Sequence, residues 1–274
     1  MPMIITDSTC DWSLEEANRL GVELLSLKVC FGDQVFEDKR TITNEMFFEK
    51  LSQYDVLPTT SLLSVGDFLA AFERHPDEAI VVLALSSELS GTYQSAVVAK
   101  EEIGRSDIFV IDTRTVTVGL GLLVRRAIIL RDAGKTAAEI AEEIERVKGK
   151  VRIYGVLNTL KYLVKGGRLS GVQGAIGGLL SIKPIVLVQD GIVQNVGKGR
   201  GSRAAVKALV TLVREHEKLQ SGSSVAYAHA GNLPLLEEIV AALQLPPSDP
   251  PCFLGSTVGT YTGPGAVAVA FFIE

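Results

Sequence analysis

Hydroxyl side chains gather in three short stretches of the chain: "TDSTCD" at 6–11, "PTTSLLS" at 58–64 and "SSELSG" at 86–91. The third is the most informative. It follows the continuous apolar run "AIVVLAL" and precedes a segment of helical periodicity that starts near Thr92. A helix start offers unpaired backbone N–H groups and the positive end of the helix dipole. Gly91 lets a ligand approach the backbone closely, and Ser90 supplies a hydroxyl donor. Together they suit an anionic group, a carboxylate or a phosphate. The same Ser90 can equally serve only as a helix cap, and this segment alone favours that role. "LVKGGRLSG" at 163–171 adds Arg168 between a glycine pair and Ser170, which is expected to cap a helix. An arginine there can pair with an anion or simply face solvent. "GTYTGPGAVAVAFF" at 259–272 is expected as a Gly/Pro-rich loop that feeds a strand and reaches a ligand.

Other chemistries lack support. The three histidines, His75, His216 and His229, are far apart and form no metal-binding pattern, so no metal is expected. His75 and His216 lie in charged helical surroundings and read as surface residues. There is no G-x-S-x-G elbow and no G-x-G-x-x-G after a strand. "AGKT" at 133–136 ends like a phosphate-binding loop, but Ile129 stands where the leading glycine belongs. No cofactor is expected. Asp7 and Asp112, at strand ends, are the only good acid/base candidates.

These groups need elements to position them. "MIITDST" predicts a strand ending in a turn, "DWSLEEANRLG" a helix stopped by Gly21, and "VELLSLKVCFG" and "QVFED" extended segments. "TNEMFFEKLSQ" and "VGDFLAAFERH" have helical spacing. "AIVVLAL", "TYQSAVVAKEEIG" and "DIFVID" form a βαβ unit, which implies a parallel sheet. Two helices follow, "VGLGLLVRRAIILRDAG" and "TAAEIAEEIERVKG". Beyond residue 150 the pattern changes. "VRIYGVL", "KPIVLVQDG", "IVQNVGKG", "SSVAYAHAG" and "FLGSTVG" read as strands, with an Asp-Gly hairpin turn in "IVLVQDGIVQNV". "SRAAVKALVTLVREHEKL" and "LPLLEEIVAALQL" read as helices. The expected architecture is two α/β domains. Residues 1–150 carry a parallel sheet in a three-layer α/β/α arrangement, and residues 151–274 a mixed sheet.

Composition narrows the class further. The 274 residues are 47% hydrophobic and 22% charged, which is ample for globular cores. A net charge of −5 gives no general attraction to nucleic acid or anionic membrane. The nearest thing to a basic cluster is Lys198, Arg200 and Arg203. No cationic region followed by an apolar stretch opens the chain, so no signal peptide is expected. No apolar run approaches the ~20 residues of a membrane helix. Cys10, Cys30 and Cys252 lack metal-type spacing and are expected as reduced thiols in a cytoplasmic protein.

Taken in order, "ITDST", "TSLLS", "SSELSGTYQSA", "VIDTRTVTVGLG", "YLVKGGRLSG", "IKPIV" and "TGPGAVAVAF" resemble the DegV family of fatty-acid-binding proteins over nearly the whole length. The resemblance implies two α/β domains around a long-chain fatty acid such as palmitate, its carboxylate held by hydroxyls near the surface. It also implies, for some members, presentation of the acid to a separate ATP-dependent fatty acid kinase that makes acyl phosphate. Carried over by position, Thr60 and Ser90 bind the carboxylate, within a group formed by Ser61, Gly91, Thr92 and Tyr261. Arg168 and Arg200 match positions near the head group or the kinase-facing surface. Two departures stand out. Leu62 and Leu63 replace Gln and Pro of a T-S-Q-P-S signature. Tyr261 stands where many members have His in H-T-G-P-G, and a phenol donates to a carboxylate without the imidazole's charge change near neutral pH.

The leading expectation is therefore a non-catalytic, cytoplasmic fatty acid carrier. The glycine-rich apolar stretch 171–188 is a candidate wall for the acyl tail and equally a candidate for plain core. The alternative is an enzyme acting on a small anionic metabolite in the interdomain cleft, with Asp7 or Asp112 as acid or base. A third reading is a regulatory module whose ligand is a signal.

Overall fold

A computed structural model describes residues 1–54, 56–171, 181–222 and 224–274. Its first sheet has four parallel strands in the order β2-β1-β6-β7: β1 (Met3–Asp7), β2 (Val22–Leu25), β6 (Ile80–Ala84) and β7 (Ile108–Asp112). Side chains alternate across a strand, and this sheet uses both faces. Ile5, Val82 and Ile108 pack on α3 (Val65–Glu73) and α4 (Thr92–Ile103). Ile4, Val81, Leu83 and Ile111 pack toward α1 (Leu14–Arg19), α5 (Thr117–Asp132) and α6 (Ala137–Val147). The three-layer arrangement follows.

Between β2 and α3 the chain builds a small antiparallel sheet, ordered β4-β3-β5, from β3 (Lys28–Phe31), β4 (Gln34–Glu37) and β5 (Thr59–Ser61), backed by α2 (Asn44–Gln53). The hydroxyl-rich segment "PTTSLLS" is thus in part an edge strand. Pairing with β3 satisfies its backbone groups, which a short polar segment does not announce by itself.

The third sheet is mixed, in the order β10-β9-β8-β13-β11-β12. It comprises β8 (Val151–Val156), β9 (Ile182–Gln189), β10 (Ile192–Arg200), β11 (Val225–His229), β12 (Cys252–Phe253) and β13 (Val267–Phe272). Only β11 and β12 pair in parallel. The Asp-Gly hairpin is present, with Asp190 and Gly191 both at positive φ, as a type I′ turn requires. Tyr154, Val156, Ile185, Leu187, Val267 and Val269 face α8 (Ser202–His216) and α9 (Leu233–Leu243). The opposite face looks toward the first half of the molecule. α7 (Lys161–Lys165) and α10 (Ser256–Thr262) complete the elements.

α10 corrects two expectations. "FLGSTVG" is a strand only at Cys252–Phe253, and "GTYT" closes a helix instead of belonging to a loop. Its small and β-branched residues are weak helix formers, so tertiary contacts decide its state. α1 starts at Leu14 with Ser13 as its cap, three residues later than "DWSLEEANRLG" suggests, because Asp11 is left-handed at φ 63. His75 is half-buried, its ring nitrogens 2.7 and 3.0 Å from Glu23 and Glu78, whereas His216 is exposed as expected.

α5 is buried from Thr117 to Val124 and touches strands of both large sheets. It is the shared core element between the two halves.

Candidate functional site

In the parallel sheet the chain runs β1 to β2 in one direction and β6 to β7 in the other. The strand order therefore reverses between β1 and β6, where open α/β sheets bind ligands at the strands' carboxyl ends. A mainly aliphatic cavity lies there, at a place where concave ligand sites commonly form. It runs between the strand-end loops of the first sheet and the inner face of the mixed sheet.

Period-two geometry supplies the apolar wall. Ile153, Gly155 and Leu157 project from β8 and its end, Val186 and Val188 from β9, and Ala266 and Ala268 from β13 and its start. Their neighbours Tyr154, Val156, Ile185 and Leu187 face α8 and α9 instead, and Val267 packs there while also touching the cavity. Ala268 belongs to a central strand yet is not fully buried, and it borders this cavity. Of the apolar stretch 171–188, Val186 and Val188 line the cavity, and 172–180 lie outside the described residues.

The polar wall is compact. Thr60, Ser90, Gly91, Arg168 and Tyr261 all line this cavity. Thr60 Oγ1 and Tyr261 OH are 2.6 Å apart, so one donates to the other and one hydroxyl proton of the pair is left for a ligand. The Arg168 guanidinium lies 4.9 Å above the Tyr261 ring, a cation–π distance. Its Nε donates to Leu89 O at 3.1 Å and its Nη1 to Gly166 O at 2.6 Å. Among the described residues no carboxylate forms an ion pair with Arg168. The glycine pair explains this placement. A Cβ on Gly166 would sit 2.5 Å from the Tyr261 ring, and Gly167 turns the chain at φ 70.

The hydroxyls of "SSELSGTYQSA" divide their tasks. Ser86 Oγ donates to Gly191 O at 2.8 Å and so holds the β9–β10 hairpin tip. Ser87 bonds both oxygens of Asp112. Ser90 reaches the cavity, accepts from Thr92 N–H at 3.3 Å and contacts Thr92 Oγ1 at 2.9 Å. The N-cap position of α4 is Gly91, with no side-chain cap bond. Ser90 thus combines a weak capping contact with cavity exposure.

Three of the eight site residues lie elsewhere. On the edge strand β5, alternation turns Thr60 inward and leaves Ser61 exposed, outside the cavity lining. Thr92 is fully buried and reaches the site only through Ser90. Arg200 ends β10 opposite Ile182, exposed and apart from the cavity wall. Leu62 is 47% exposed and borders the cavity beside Gly91, whereas Leu63 is core. Ser170 N–H donates to Val193 O at 2.8 Å.

Asp7 and Asp112 are both engaged in structure. Asp7 accepts from Thr9 N–H, Thr9 Oγ1 and Leu85 N–H. Burial pushes its carboxyl up to about 6, against the opposing pull of those bonds. Asp112 serves Ser87 and the Arg114 N–H. Neither lines the cavity. The sequence reading passed over Thr117 and Thr257 on the cavity wall and the buried Asp11 and Asp38 behind them. The signal for α10 was faint, since "GSTVGTYT" lacks the usual helix formers.

A two-domain α/β fold with a mainly aliphatic cavity between its sheets, and hydroxyls grouped beside one arginine, has the lining that suits an apolar ligand with a polar head. The DegV family model, whose description reads "Uncharacterised protein, DegV family", matches residues 2–274, and this chain belongs to that family. A DegV domain-containing protein of Deinococcus radiodurans is 36% identical, over 97% of this chain and 96% of the relative. A Thermus thermophilus structure described as fatty acid binding of a DegV family protein superposes with TM-score 0.87 at 29% identity, covering 99% of each chain. A DegV family structure from Ruminococcus gnavus, described with vaccenic acid, gives TM-score 0.86 at 26% identity, covering 98% of each.

Proposed function

We propose that this chain binds a long-chain fatty acid such as palmitate, with Thr60, Ser90, Tyr261 and Arg168 around the carboxylate and the tail along the aliphatic wall. The observation that carries this reading is one cavity with Thr60, Tyr261, Ser90 and Arg168 together on an otherwise aliphatic lining. About 14 methylenes at ~0.8 kcal/mol each supply roughly 11 kcal/mol of apolar transfer. Ordering the chain and ligand consumes several kcal/mol of that, so the tail gives affinity and the head gives orientation. The Thermus and Ruminococcus structures, described with fatty acids, support the same ligand class.

The role we assign is that of a non-catalytic carrier in the cytoplasm, which presents the acid to a separate ATP-dependent kinase. Arg200, exposed at the end of β10, is the residue we assign to that partner. Among the described residues no helix is long and apolar enough to cross a membrane. We place the domain boundary at residue 150, consistent with the strands of the mixed sheet all following it.

Organic extraction of freshly purified protein, followed by mass spectrometry, tests the ligand class. A stoichiometric long-chain fatty acid is the expected result. An empty extract together with no uptake of added palmitate overturns the reading.

A further inference from the structure

α10 lies late in the sequence but rests on β3, β5 and α2 of the first half. Its seven residues, Ser256–Thr262, are too few and too poor in helix formers to stay helical alone. Two buried aspartates hold its first turn. Asp11 Oδ1 accepts from Gly255 N–H at 2.8 Å. Asp38 Oδ1 accepts from Ser256 N–H at 2.9 Å and from Ser256 Oγ at 2.7 Å. Asp38 is 0% exposed, and its Oδ2 has no partner among the described residues.

The supports of these aspartates are strained. Asp11 and Lys39 are both left-handed, at φ 63 and 65. Lys39 Nζ donates to Trp12 O at 2.7 Å and lies 3.9 Å from Asp11 Oδ1. The other Asp11 oxygen accepts from Thr117 Oγ1, and Thr117, on the cavity wall, is itself at φ 49. A β-branched residue there is a real outlier. Strain of this kind persists where the surroundings require it, and it concentrates at functional sites.

Here three left-handed residues and one unpartnered buried oxygen surround the atoms that set where α10 begins. That starting point matters to the cavity. Thr257, Val258, Tyr261 and Thr262 present one face of α10 to it. A slip of one residue at the helix start would rotate Tyr261 by about 100°, away from Thr60 and from beneath Arg168. Buried polar groups often add little stability over apolar substitutes, and setting a register is their best-attested use.

We propose that Asp38 and Asp11 are positioning residues for the ligand head group, setting the start and rotation of α10 so that the Tyr261 hydroxyl meets Thr60 in the cavity. This rests on the carboxylate reading above. The test compares dissociation constants for palmitate and methyl palmitate, which share a tail but not a charged head. Asp38→Ala is expected to weaken palmitate about fivefold or more, roughly 1 kcal/mol, with methyl palmitate changed less than about twofold. Asp38→Asn, which keeps the Oδ1 acceptor, restores palmitate binding. In a Tyr261→Phe background Asp38→Ala adds nothing further, because both act through one hydroxyl. Should Asp38→Ala fail to fold, Ser256→Ala removes one of the same bonds and is expected to shift palmitate alone, by a smaller factor. Equal losses for both ligands, or losses that multiply with Tyr261→Phe, overturn the positioning role. Wild-type protein that takes up neither ligand overturns the fatty-acid reading and this proposal with it.

Discussion

Replacing Tyr261 by Phe removes one oxygen from the cavity and keeps the ring that packs there. The ring still fits against Gly166 and beneath the Arg168 guanidinium. What disappears is the 2.6 Å contact with Thr60 and, with Thr60 donating to the phenol, the Tyr261 O–H that donates to a carboxylate; Thr60 keeps its own proton but loses the acceptor that orients it. A hydrogen bond to a charged group contributes about 1.5–3 kcal/mol net, so palmitate should bind about 10- to 100-fold more weakly. The stability change should be far smaller. A neutral hydroxyl pair contributes about 0.5–1.5 kcal/mol, and both residues are only half-buried, so water can replace either partner. At ~2–4 °C per kcal/mol for chains of about this length, the melting temperature should fall by a few degrees at most. Titration calorimetry with palmitate, paired with a thermal scan of the ligand-free protein, reads both quantities. A palmitate constant within about twofold of wild type would refute the placement of the carboxylate at this pair.

Ala268→Phe places a large ring on the aliphatic wall. Palmitate uptake should be lost while short-chain acids and folding are retained, which chain-length titration checks; unchanged palmitate binding would move the tail elsewhere. Burial pushes the Asp11 carboxyl up to about 6 against its ordinary 3.8, with Lys39 and the Thr117 hydroxyl opposing. The folded state then holds this proton more tightly than the unfolded chain. Asp11 contributes relative stability below about 4 that is lost as pH rises to about 6. Asn at position 11 lacks this titration, so the melting-temperature advantage of wild type over Asp11→Asn should grow as pH falls from about 6.5 to about 4. A constant or shrinking difference would contradict the burial account. Arg200→Glu should leave palmitate binding intact and lower acyl-phosphate formation by a fatty acid kinase. Equal loss of both would assign Arg200 to the cavity.

Some of this molecule is written in local pattern. The run "AIVVLAL" announces a strand buried on both faces, and the alternation of helix and strand around it announces a parallel sheet, because period and burial are local consequences of residue type. The Asp190-Gly191 turn is equally legible, since few residue pairs accept its backbone angles. Ser90 and Gly91 could be named as candidates for an anion because the carboxyl end of a parallel strand is where ligand sites form, although the segment alone favours a helix cap. Thr60 and Tyr261 were assigned to the carboxylate through resemblance to the DegV family, whereas the glycine pair beside Arg168 already marked that arginine as a candidate anion partner.

Tertiary structure alone decided the rest. Thr60 and Ser61 are adjacent and chemically alike, yet pairing of β5 with β3 turns one inward and the other to solvent. The pleat separates them, and no property of either residue does. The helix at Ser256–Thr262 exists because acceptors more than 200 residues away, Asp11 and Asp38, take its first N–H groups. Propensity within the segment points the other way. Whether a serine caps, clasps a hairpin or faces a cavity was likewise decided by what the fold brings to it: Gly191 for Ser86, Asp112 for Ser87, the cavity for Ser90. Sequence determined which segments could form elements, because hydrophobic periodicity and turn chemistry act over a few residues. The three-dimensional arrangement determined which side chains share a cavity, because that depends on register and on contacts between elements distant in the chain.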